Sequence, residues 1–175
     1  MIILLIAIII IIVTIIIMYN RLIMLNIRCK NGWSQIDNQL KRRYDLIPNL
    51  VEVTKGYAKH ESETLVNITK IRNESIKEKA LETKEISDKI TKLLFVAEAY
   101  PDLLASDVFK KLQTELSGTE DKIAYARQFY NDSVQQYNTA IEQFPSNILA
   151  KIGKFNSKEY FQIDNFEKKN VEIKI

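Results

Sequence analysis

The chain has 175 residues, 46% of them hydrophobic, and its 25 Lys and Arg against 22 Asp and Glu leave a formal net charge of +3. At roughly 100 to 200 residues per domain this length excludes a large multidomain enzyme. So mild a charge also lacks the dense basic stripe that binding to DNA or RNA by counterion release requires, and no nucleic-acid partner is expected.

The average conceals two regions. Residues 1 to 19 carry no charged side chain, and between Ile2 and Tyr19 only Thr14 is strongly polar. Such a run, rising about 1.5 Å per residue, reaches roughly 27 Å, close to the hydrocarbon thickness of a bilayer, and Leu22 to Leu25 can extend it. At about −0.5 kcal/mol per central Ile or Leu, its insertion free energy is on the order of −8 kcal/mol, with Arg21 snorkelling to the surface. A cleaved secretory signal would need a basic start, a shorter apolar core and a small-residue cleavage site, none of which is present. Cys29 follows the charged Arg28, where a lipoprotein attachment site would have a small residue. Residues 1–25 are therefore expected to be an uncleaved anchor, residues 26–165 a folded body and residues 166–175 a tail.

Downstream of the span, residues 21 to 43 hold Arg21, Arg28, Lys30, Lys41, Arg42 and Arg43 against one acid, Asp37. By the positive-inside tendency the body is expected on the cytoplasmic side of the cell membrane. The same cluster would be attracted to anionic head groups, although topology signals and a solvated helix face explain it equally well.

With four Gly and three Pro there is too little turn material for a sandwich, a barrel or a disordered linker, so the body should be long helices. A first stripe runs Leu22, Leu25, Cys29, Trp33, Ile36, Leu40, Tyr44 and Ile47 at alternating threes and fours. Pro48 is expected to break or kink this helix, with Asp45 as the N-cap of a second one. The stripe resumes at Ile47, Leu50, Val51, Thr54, Tyr57, Ala58, Glu61, Leu65, Ile68 and Ile71. Residues 70 to 92 hold twelve charges in twenty-three positions and read as a solvated, irregular or hinged stretch. Ile86, Ile90, Leu93, Leu94 and Ala97 then mark a buried helix face that ends before Pro101.

Ser106 can cap the last long helix, whose seam runs Phe109, Leu112, Leu116, Thr119, Ile123, Ala126, Tyr130, Val134, Tyr137, Ile141 and Phe144 until Pro145 stops it. A seam this long must be covered, and short connections make neighbours antiparallel. The expected fold is all-α, an antiparallel up-and-down bundle of three to four long helices behind one N-terminal transmembrane helix. From Ile148 onward a loop, a short helix and an extended tail are expected.

Recognisable reaction chemistry is scarce. One cysteine excludes an intramolecular disulfide and four-cysteine zinc modules. The sole histidine, His60, has Tyr57 three residues before it, so neither a Glu-x-x-His di-iron repeat nor a His-Glu-x-x-His zinc motif exists. Gly-rich phosphate loops and a Gly-x-Ser-x-Gly elbow are also missing. Carboxylates such as Glu120 and Asp121 read as exposed helix, and Cys29 as a packing residue. No catalytic residue, metal or cofactor is expected.

The polar residues that stand out lie within or beside the stripes. Arg127, Asn131, Val134 and Asn138 follow at helical spacing beside Tyr130 and Tyr137. Together with Trp33, Asp37, Arg42, Arg43, Asp45 and Asn49 they form either an internal hydrogen-bond network or a groove that receives a partner. Arg127 is expected to lie against Asp37 or Asp45.

Several strings resemble the LemA family. They are Trp33-Ser-Gln-Ile-Asp-Asn-Gln-Leu-Lys-Arg-Arg-Tyr-Asp-Leu-Ile-Pro-Asn-Leu-Val, Lys55-Gly-Tyr-Ala-Lys-His-Glu, Ala99-Tyr-Pro-Asp-Leu and Thr119-Glu-Asp-Lys-Ile-Ala-Tyr-Ala-Arg-Gln-Phe-Tyr-Asn-Asp, with Tyr137-Asn-Thr and Phe144-Pro-Ser-Asn. The likeness covers residues 20 to 165 and departs in the charged stretch 70 to 92 and at Ile152-Gly153-Lys154. It implies a bacterial inner-membrane protein with one N-terminal span, an up-and-down bundle and no established catalytic activity. It further implies envelope neighbours with TPM-type domains or HtpX-type zinc peptidases as partners, besides the lipid bilayer itself.

The reading that follows is a membrane-tethered interaction or scaffold module of the cell envelope. Its rivals are an enzyme or metal protein with a polar site between the bundle helices, and an envelope-stress accessory factor.

Overall fold

A computed structural model describes residues 1–57 and 76–161. Every regular element among these residues is a helix: α1 (Ile2–Tyr57), α2 (Ile76–Glu98), α3 (Pro101–Ala105), α4 (Asp107–Glu142) and α5 (Ser146–Ile152). The fold is the all-α bundle that the shortage of turn residues implies, with α1, α2 and α4 as its long members.

Helix α1 is continuous across Pro48, so the expected break is absent. Pro48 stands inside the helix, and Asp45, expected as an N-cap, is an interior residue of it. Pro48 is exposed, so its ring is accommodated at the surface of the helix rather than in a core. The later part of the second stripe, from Ala58 to Ile71 and including His60, lies outside the described residues.

The charged stretch is also more regular than expected. From Ile76 onward it is helix α2, in keeping with its content of Lys, Glu, Ala and Leu, all strong helix formers. The helix ends at Glu98, two residues before Tyr100-Pro101, and Pro101 opens α3. Ser106 is extended between α3 and α4, and its carbonyl accepts the Lys110 N–H of the first α4 turn.

The chain divides into two compact units, Met1–Ile36 with Tyr125–Tyr160, and Asp37–Ala124 with Phe161–Ile175. In the first unit, residues 1–17 are exposed throughout, and burial begins along one face at Leu22, Leu25, Cys29 and Ile36. In the same unit Ala126, Tyr130, Val134, Tyr137 and Ala140 of α4 are buried, and α1 meets α4 where Gly32 and Trp33 contact Tyr130. The pairing is antiparallel, since Gly32 meets Tyr130 whereas Arg28 meets Gln136. Gly32 permits the close approach: a Cβ there would lie 3.1 Å from the Tyr130 Cα and 3.3 Å from the Phe129 ring.

The second unit has its own core of Ile47, Leu50, Val51, Ile86, Ile90, Leu93, Ala97, Leu103, Phe109 and Leu116. Its buried hydroxyls are satisfied locally, Thr54 donating to the Leu50 carbonyl at 2.8 Å and Thr119 to the Glu115 carbonyl at 2.7 Å.

The α4 seam is buried as expected from Phe109 to Tyr137, with Leu112 and Ile141 half-buried. Phe144 departs from it. The helix ends at Glu142, and Phe144 is 79% exposed. Of the loop, short helix and extended tail expected from Ile148 onward, the short helix is α5, which starts earlier, at Ser146, with no loop before it, and an extended segment follows it to Phe161.

Candidate functional site

Two clusters gather the polar residues that the sequence singles out. In the first unit, the α4 face presents Tyr130, Tyr137 and Asn138 to the backbone of the extended segment. The Tyr130 hydroxyl donates to the Glu159 carbonyl at 3.0 Å and the Tyr137 hydroxyl to the Asn156 carbonyl at 3.1 Å. Asn138 Nδ2 donates to the Lys158 carbonyl at 2.9 Å, and Asn138 Oδ1 accepts the Lys158 N–H at 2.9 Å. The Lys158 ammonium lies 5.4 Å from the Tyr137 ring centroid. Trp33 packs on Tyr130 with ring centroids 5.5 Å apart.

These three side chains form internal hydrogen bonds, but their partner is the backbone of a segment whose side-chain pattern marks it only as tail. One signal in the sequence points to it. Asn and Tyr on the buried stripe of a helix need backbone or side-chain partners, and a segment past the end of the last helix is chain whose backbone groups are left to supply them. Burial pushes the Tyr130 and Tyr137 phenols above their ordinary value.

In the second unit, Arg43 is buried on α1. Its Nε lies 2.6 Å from Glu120 Oε1 of α4, and its Nη2 donates to the Ser87 hydroxyl of α2 at 2.7 Å. One guanidinium thereby joins three helices. The acid that meets it is Glu120, whose local pattern reads as exposed helix. The Glu120 side chain is 41% exposed, so both descriptions hold for one residue. Asp37, Arg42, Asp45 and Asn49 are all exposed on α1.

Arg127 and Asn131 are half-buried on α4. The pairing expected of Arg127 with Asp37 or Asp45 would join residues of different units and stays an expectation.

Among the described residues, no three of His, Cys, Asp and Glu come together to hold a metal ion. What these clusters can do chemically is fix helix register and present charge. Among the same residues, the one helix long and apolar enough to cross a membrane is α1.

Among the described residues, an all-helical body behind one apolar N-terminal segment long enough to cross a membrane defines the class as helical-bundle proteins with a candidate N-terminal span. Residues 32–175 match the LemA family, and the chain belongs to that family. It is 30% identical to Protein LemA of Metamycoplasma hominis, over 87% of this chain and 73% of that one. It is 27% identical to Magnetosome protein MamQ 2 of Paramagnetospirillum magneticum, over 93% of this chain and 71% of that protein. Magnetosome protein MamQ of Magnetospirillum gryphiswaldense is 26% identical, over 82% of this chain and 64% of that protein.

Proposed function

We propose that the protein is a membrane-tethered interaction module of the bacterial cell envelope, anchored by residues 2 to 25 with its body on the cytoplasmic side. The observation that carries this reading is the unbroken course of α1. Its apolar side chains are exposed over residues 1–17, and the same helix then buries one face from Leu22 onward. In water such an exposed apolar run would be an aggregation site; in hydrocarbon it is satisfied.

The body offers a partner a polar ridge. Asp37, Lys41, Asp45 and Asn49 recur every four residues along the exposed side of α1, with Arg42 next to them. A ridge of alternating charge selects partners by complementarity and sets encounter rates more than affinity. Tethering raises its local concentration at the membrane without any added contact. The partner class is another membrane or envelope protein.

Two experiments test the reading. Alkaline extraction of cell membranes should leave the full chain in the pellet, and release into the soluble fraction would refute the anchor. Photocrosslinking residues placed at Asp45 and Asn49 in intact cells should capture a discrete membrane protein, whereas the same residue at Lys122 should not. Identical recovery from all three positions would refute the ridge.

A further inference from the structure

We propose that α5 lies in the lipid–water interface, with Phe144, Ile148 and Ile152 inserted at the boundary between head groups and acyl chains of the bilayer that α1 crosses. This rests on the anchor reading above. The three side chains are 79%, 51% and 74% exposed and recur every four residues, which sets the two isoleucines on one face of α5 with Phe144 just ahead of it. The opposite face is occupied. Ala150 is 2% exposed, and the Ser146 hydroxyl donates to the Ala140 carbonyl at 2.6 Å, tying the start of α5 to the last turns of α4.

Three observations within the first unit bring this face to lipid. The antiparallel pairing of α1 and α4 directs the C-terminal end of α4 toward the span, so α5 begins at the membrane end of the unit. Beyond α5 the chain reverses sharply: Lys154 adopts a left-handed φ of 53°, and the Phe155 N–H donates to the Ala150 carbonyl at 2.9 Å. The reversal lays the Phe155 ring over Gly153, where a Cβ would meet it at 2.6 Å, and against the Tyr19 ring at 5.8 Å between centroids. Tyr19 closes the uncharged run, the level at which amphipathic rings mark a membrane boundary.

The surroundings match a head-group layer. Met24 and Ile27 on α1 are also exposed apolar residues of this unit, and exposed Lys151 and Lys154, on and just after α5, carry charge that pairs with lipid phosphate. The face stands at the end of the unit where Phe155 meets Tyr19, the last residue of the apolar run, and this position favours lipid over a soluble protein as its occupant.

The test uses the full chain in vesicles of phosphatidylcholine and phosphatidylglycerol, with nitroxide labels on single cysteines in a Cys29→Ala background. Collision with oxygen, which concentrates in lipid, is compared with collision with a water-soluble nickel chelate. Labels at Ile148→Cys and Ile152→Cys should favour oxygen several-fold relative to one at Tyr125→Cys, an exposed position on α4. Nickel accessibility at 148 and 152 equal to that at 125 would overturn the proposal. Shielding from both reagents would overturn it too, because protein rather than lipid would then cover the face. A label at Ile10→Cys separates the two levels: if it favours oxygen while 148 and 152 do not, only the interfacial helix fails, and if it meets nickel freely the anchor itself fails. Should Cys29→Ala reduce helicity by circular dichroism, the same labels are read with buried Cys29 retained.

Discussion

Asn138 and Lys158 exchange two hydrogen bonds of 2.9 Å, the side-chain amide of one facing the backbone peptide of the other. The carboxamide thus stands in for the peptide group of a neighbouring strand, giving an extended segment both its donor and its acceptor without any sheet. Replacing Asn138 by Ala should destabilise the protein by about 1 to 3 kcal/mol, because two backbone groups lose their partners together. Asn138→Asp should do no better, since a carboxylate would confront the Lys158 carbonyl. Chemical denaturation followed by circular dichroism reads the first effect, and faster proteolytic cleavage between Gly153 and Phe161 reads the loosening of the segment.

The two tyrosines that hold the same segment make stability depend on alkaline pH. Burial raises both phenols, so the folded state holds their protons more tightly than the unfolded chain does. Their contribution is complete below roughly pH 10, the value of a free phenol, and is lost as pH climbs past it. The Tyr130→Phe, Tyr137→Phe double variant should lose about 1 to 3 kcal/mol at neutral pH through its missing hydrogen bonds. It should also show a shallower fall in stability above pH 10, measured by urea midpoints across the alkaline range.

Glycines at different sites should respond in opposite directions. At Gly118 nothing lies within 4 Å of the place a methyl group would take, so Gly118→Ala should stabilise α4 by about 0.5 to 1 kcal/mol. At Gly32 the same gain competes with a methyl group set 3.1 Å from the Tyr130 backbone. Overpacking of this kind costs about 1 to 3 kcal/mol, so Gly32→Ala should be destabilising on balance, and Gly32→Leu far more so. Thermal melts of the three variants decide the matter.

Removing Glu120 should harm the protein more than removing the whole pair. Arg43 is buried and Glu120 only partly so, so a Glu120→Ala variant, whose buried guanidinium loses this carboxylate, should lose about 1 to 3 kcal/mol. An Arg43→Met, Glu120→Ala double variant should recover part of that loss. A double-mutant cycle in urea measures the coupling, and a double variant as unstable as the sum of its singles would show that the pair contributes nothing.

Much of the fold is legible because burial in a helix leaves a period: the stripe from Leu22 to Leu50 and the seam from Phe109 to Tyr137 are both packed as read. Punctuation is less reliable. Pro48 looks like a stop only if its surroundings are ignored, and an exposed position lets the helix carry it. The site residues are half legible. Tyr130, Tyr137 and Asn138 stand out as polar groups on a buried stripe, but what they grip is backbone, which carries no signal of its own in the side chains. Glu120 escapes notice for a related reason: an acid at the edge of a seam has the same local pattern whether it faces water or a cation from another helix.

The lack of any joint in α1 between its lipid-compatible start and its packed stretch has a mechanical consequence. A helix transmits twist and axial thrust along its hydrogen-bonded backbone, so if the apolar end is embedded as proposed, its rotation or vertical displacement would be delivered directly to Leu22, Leu25 and Cys29, which are buried on the same helix. On the anchor proposed above, the apolar stretch would work as a lever arm rather than a leash.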